Sequence, residues 1–61
     1  MEYPYYEVEI RTEREKLRQK FETAQEAREY YDAHTDHCIY ARLLEHWEGY
    51  ARFIAMQSRS Y

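Results

Sequence analysis

The side chains able to do chemistry gather late in the chain: His34, His37 and Cys38 in the run HTDHC, then His46 eight residues on. Imidazole and thiolate are zinc ligands, and they hold the metal when two to four of them converge. Here the spacing matches no paired C-x2-C signature. Adjacent His37 and Cys38 would also point to opposite sides of an extended segment. These residues read as polar loop histidines and one small apolar cysteine, so no metal and no other cofactor is expected. Cys38 as a nucleophile needs a neighbouring base and a depressed thiol pKa. His34 and His37 are close in sequence, but a chain with a single glycine shows no oxyanion-hole loop. A G-x-S-x-G elbow and a phosphate-cradling glycine loop are likewise missing. No catalytic residue is assigned, and the expected protein is not an enzyme.

A second cluster is basic. Arg11, Lys16, Arg18 and Lys20 fall on one side of two alternating runs, with Tyr5 at the edge and Glu7 and Glu9 among them. Cations beside aromatic rings on a sheet can hold single-stranded nucleic acid. The interleaved glutamates favour instead a solvated ladder of ion pairs. A third cluster is aromatic and apolar: Tyr40, Leu44 and Phe53, with Trp47 and Tyr50 nearby. Exposed apolar patches on small soluble proteins mark contact surfaces, and Tyr and Trp are enriched there.

The elements that must carry these residues follow from periodicity. Residues 5–11 alternate, Tyr6, Val8 and Ile10 against Tyr5, Glu7, Glu9 and Arg11, as a strand does. Residues 16–21 alternate again. A four-residue loop at 12–15 sets Arg11 opposite Lys16, Ile10 opposite Leu17, Glu9 opposite Arg18, Glu7 opposite Lys20 and Tyr6 opposite Phe21. Apolar then meets apolar and acid meets base, and a one-residue slip would destroy both sets. From Thr23 the period becomes helical, with Ala24, Ala27 and Tyr31 on one stripe. Thr23-Ala-Gln-Glu26 fits a capping box, Thr23 accepting from the Glu26 N–H and Glu26 reaching back to the Thr23 N–H. The helix is expected over 24–33, with Arg28 and Glu29 on its wet side.

Residues 38–57 admit two readings. As a hairpin turning at Glu48-Gly49, they pair Trp47 with Tyr50, Glu45 with Arg52, Leu43 with Ile54 and Ala41 with Met56. That sets Ile39, Ala41, Leu43, Ile54 and Met56 on one face and Tyr40, Arg42, Leu44 and Phe53 on the other. As a helix, Tyr40, Leu43, Leu44, Trp47, Ala51 and Ile54 form a stripe, at a cost of about 1 kcal/mol for Gly49. The hairpin is preferred because glycine suits a turn. The expected fold is α+β: a ββαββ domain over residues 1–61, a four-stranded antiparallel sheet with one helix on one face. Residues 1–4 and 58–61 are expected to fray. The alternative is an all-α helical hairpin.

Sixty-one residues with a net charge of -3 and eight tyrosines bound the function. A chain this short has a thin core and little room for an internal cavity. A lone cysteine points to a reducing compartment, and no apolar run approaches a membrane span. The chain therefore reads as an intact cytoplasmic product. In size and acidity it resembles the small proteins of phage and prophage accessory regions, which bind host proteins; no motif carries that resemblance. The expected function is a non-enzymatic protein-interaction module that binds and modulates a host protein through Tyr40, Leu44, Trp47, Tyr50 and Phe53. Self-association is also expected, as a homodimer with Tyr40, Leu44 and Phe53 in or beside its interface. The alternative function is nucleic-acid binding on the basic face of the first hairpin. A membrane is not an expected partner.

Overall fold

A computed structural model describes residues 2–58, apart from the side chain of His37. It contains strands β1 (Tyr5–Arg11) and β2 (Lys16–Phe21), helix α1 (Ala24–His34), a 3-10 turn at Thr35–His37, and strands β3 (Tyr40–Trp47) and β4 (Tyr50–Ser58). All pairings are antiparallel in one sheet of order β2-β1-β3-β4, and α1 packs on one face. The chain is thus the ββαββ domain that its periodicity predicts. No helix among the described residues is long and apolar enough to cross a membrane. The expectation of fraying at the very ends falls partly on Met1 and residues 59–61, outside the described residues.

The first hairpin takes the predicted register, from Arg11 opposite Lys16 to Tyr6 opposite Phe21. Its loop has neither Gly nor Asn, and the Thr12 hydroxyl supplies the order instead. Thr12 Oγ1 accepts from the backbone N–H groups of Arg14 and Glu15, at 3.3 and 3.1 Å. The Thr12 N–H donates to the Glu15 carbonyl at 2.8 Å. A threonine can close a short turn in this way.

Helix α1 starts where the capping pattern predicts. Thr23 is extended, and its hydroxyl accepts from the Glu26 N–H at 3.2 Å. The Glu26 carboxylate does turn back, but onto the Thr23 hydroxyl at 2.9 Å rather than the expected backbone N–H. Ala27 and Tyr31 are the buried residues of the helix, while Ala24 is exposed. They close over Val8, Ile10, Ala41 and Leu43, the apolar centre of β1 and β3, with Cys38 beside them. Phe21 packs against Tyr30 with ring centroids 5.3 Å apart.

The second hairpin corrects the expected register. Trp47 pairs with Tyr50 and Glu45 with Arg52, as predicted, and Gly49 takes the turn with φ +86°. A β-bulge then intervenes: Leu44 pairs with Phe53 but Leu43 with Ala55, leaving Ile54 as the extra residue. Beyond it Ala41 faces Gln57 and Arg42 faces Met56. The expected pairs Leu43–Ile54 and Ala41–Met56 do not form. Ala55 takes the place beside the core, and Met56 turns to the opposite face. A bulge shifts every later side chain by one position, which in a two-residue period means the other face.

Candidate functional site

The sheet face away from α1, the outer face, is where the chemically capable side chains meet. Register places Tyr5, Glu7, Glu9 and Arg11 of β1 there, between Lys16, Arg18 and Lys20 of β2 and Tyr40, Arg42, Leu44 and His46 of β3. Phe53 and Met56 of β4 complete it.

At its centre lies Glu9, 7% exposed. Its carboxylate accepts from Arg18 Nη2 at 2.9 Å, Tyr40 Oη at 3.3 Å and Arg42 Nη1 at 3.4 Å, with Lys16 Nζ at 3.8 Å. The Arg18 guanidinium, helped by Lys16, Arg42 and the Tyr40 hydroxyl, holds the Glu9 carboxyl below its usual range, although burial works the other way. Glu7 lies within 3.0 Å of His46 Nε2 and 3.6 Å of Arg18 Nε. The His46 ring stacks on Tyr5 at 4.6 Å, Lys20 lies over Tyr5 at 5.6 Å, and Arg42 covers Tyr40 at 4.6 Å. The predicted register is therefore present and its Glu9–Arg18 rung forms, but Glu7 turns to His46 and Arg18 rather than to Lys20, and the central acid is buried and gathers cations from β2 and β3 together.

The apolar half of the outer face lies on β3 and β4. Leu44 sits opposite Phe53, which is 54% exposed, and Met56 is 61% exposed. Of the predicted contact residues, Tyr40, Leu44 and Phe53 share this face, with Tyr40 drawn into the Glu9 cluster. Trp47 and Tyr50 do not join them. Alternation along β3 and the pair Trp47–Tyr50 put both rings on the helix side, stacked 6.4 Å apart. Met56 is the residue the sequence reading missed, because the bulge that turns it outward has no local signature.

On the helix side beyond α1, a second polar cluster surrounds Glu45, also 7% exposed. It accepts from Trp47 Nε1 and Arg52 Nε, both at 2.7 Å, and from Tyr6 Oη at 3.2 Å. The indole N–H and the guanidinium lower the Glu45 pKa, while burial and Glu45 raise that of Tyr6. Among the described residues no buried side-chain nitrogen or oxygen lacks a hydrogen bond. A cluster this well satisfied fixes the positions of its side chains.

The residues of the metal-type pattern are separated by the fold. His46 lies on the outer face, and Cys38 is buried in the core with its thiol donating to the Thr35 carbonyl at 3.2 Å. His34 caps its own helix, Nδ1 lying 2.8 Å from the Tyr30 carbonyl and its ring stacked on Tyr30. Among the described residues no three His, Cys, Asp or Glu side chains come together as a metal site. An open hollow of about 580 Å³ is lined by Glu2, Tyr3, Pro4 and Glu22.

Compared with protein families, curated proteins and solved structures, the chain finds no match in any of the three.

Proposed function

We propose that this chain is a non-enzymatic protein-interaction module whose contact surface is the apolar half of the outer face. The observation that carries this reading is the run of Leu44, Phe53 and Met56, with Phe53 and Met56 more than half exposed in a chain that buries few large aliphatic residues. Exposed apolar side chains grouped on one face, bordered by charged ones, are the mark of a docking surface. The bordering cation Arg42, opposite Met56, favours a partner surface that is apolar at its centre and acidic at its rim. The resemblance to phage accessory proteins in size and acidity makes a host protein the class of partner. Modulation of that host protein follows from occupancy of its surface.

The test is capture from cells of the source organism by the immobilised chain. A retained protein should survive nuclease treatment, be lost with Phe53→Asp, and be kept with Arg14→Ala in the first loop. Capture that Phe53→Asp leaves intact overturns the reading.

A second reading, single-stranded nucleic-acid binding, is favoured by one observation. Arg11, Lys16, Arg18, Lys20 and Arg42 share the outer face with only Glu7 and Glu9, in a chain of net charge -3. Against it, the rings of Tyr5 and Tyr40 are already covered by Lys20 and Arg42. Base stacking would have to displace them. Nuclease-sensitive capture, lost with Lys20→Glu, would support this second reading over the first.

A further inference from the structure

We propose that β4 is a pairing edge for a second copy of this chain, forming an antiparallel twofold dimer in which one sheet runs through both protomers. This rests on the backbone edge of β4 and does not require the outer patch to bind anything.

Strands β2 and β4 are the two edges of the sheet, and they differ. β2 carries Lys16, Arg18 and Lys20, and charged residues on an edge, lysine above all, are a known guard against strand addition. β4, YARFIAMQS, is longer and has one charge, Arg52, whose guanidinium is held by Glu45 at 2.7 Å. It has no proline, and all its residues but the half-buried Ala55 are exposed. The bulge interrupts it at Ile54 alone, leaving regular runs at 50–53 and 55–58 on either side. Apart from that bulge, β4 carries none of the lysines that blunt β2, and an apolar edge of this length is a template for another strand.

The composition of β4 selects its own copy as that strand. In an antiparallel pair, Arg52 meets Arg52 only in the register centred on that residue. Every other register that keeps its partner within 50–58 sets the guanidinium opposite an uncharged side chain. Pairing of β4 with the guarded β2 edge of another copy would build an open filament; pairing with another β4 closes after two. The twofold axis then stands perpendicular to the sheet. Both helices lie on one side, and Phe53 and Met56 of the two protomers meet on the other. The dimer thereby joins two small apolar patches into one surface.

Sedimentation equilibrium of the full chain between about 10 and 200 µM, a range suited to micromolar association, tests the stoichiometry. Isotope-filtered NMR on mixed labelled and unlabelled protein tests the mode. The expected result is a dimer with intermolecular contacts along 50–58 of β4. Met56→Lys, whose folding is checked by circular dichroism, should weaken association at least ~10-fold. Leu44→Thr, which alters the outer face without touching the edge, should leave it unchanged. A monomer throughout the range overturns the proposal. So do intermolecular contacts on β1 and β3, or a Leu44→Thr effect equal to that of Met56→Lys. Capture repeated with Leu44→Thr, on β3 and away from the edge, reads the patch separately from these outcomes, because Phe53 lies on β4 itself.

Discussion

Glu9 is a carboxylate that the fold buries and then surrounds with cations. Because the Arg18 guanidinium and its neighbours lower the folded-state pKa, ionised Glu9 stabilises the fold above the ordinary carboxylate value of about 4.3. That contribution is lost as pH falls through the depressed folded value. Glu45 is lowered in the same direction, by Trp47 and Arg52. Glu9→Gln should therefore be less stable at pH 7, and its stability should fall less steeply below about pH 4. Urea midpoints measured at both pH values check this; parallel curves for the two proteins would contradict it. The Glu9–Arg18 pair was legible in the sequence, since a two-residue period on both strands fixes which side chains face each other. The arrival of Tyr40 and Arg42 was not. It depends on β3 docking against β1, a pairing between segments that no local pattern specifies. For Glu45, the pairing with Arg52 was legible from the second hairpin's register, whereas Tyr6, which arrives from β1, was not.

Elements here are started and stopped by single residues. Thr23 supplies the helix N-cap, and Thr23→Ala should cost about 1 kcal/mol. Gly49 turns the second hairpin at φ +86°, where an added Cβ would meet nothing within 4 Å. Gly49→Ala should thus cost only its left-handed backbone strain, about 1–2 kcal/mol. Chemical denaturation of both variants tests these values; a Gly49→Ala protein as stable as the parent would mean the turn is not formed as described. Caps and turns of this kind were readable because their chemistry is local. The second hairpin's register was readable only as far as Leu44. Residues 53–56 are Phe-Ile-Ala-Met, apolar at every position, so no alternation distinguishes a regular ladder from one shifted by a bulge. In the first hairpin, lysines and arginines alternate with apolar residues, and the register had one solution.

At the scale of the molecule, the sheet separates what the sequence mixes. The outer face holds Arg11, Lys16, Arg18, Lys20 and Arg42 against Glu7 and Glu9, while Glu22, Glu26, Glu29 and Asp32 outnumber Arg28 before and along α1 on the other side. A net charge of -3 summarises the chain and conceals this division. Helix α1 packs on the opposite face of the sheet, so Phe53 and Met56 of β4 reach solvent on the face that also carries the cations. The proposed contact surface depends on that arrangement, and the arrangement depends on the bulge. In a regular ladder Met56 would face the helix, and the patch of Leu44, Phe53 and Met56 would lose a third of its members. Cross-strand and side-chain proton contacts in a NOESY spectrum decide between the two. The structure predicts that Met56 pairs with Arg42, that Ala55 pairs with Leu43, and that the Met56 methyl shows no contact with Ala27 or Tyr31. A Met56–Ala41 pair, with the methyl touching the helix, would remove the bulge and take Met56 out of the proposed contact surface.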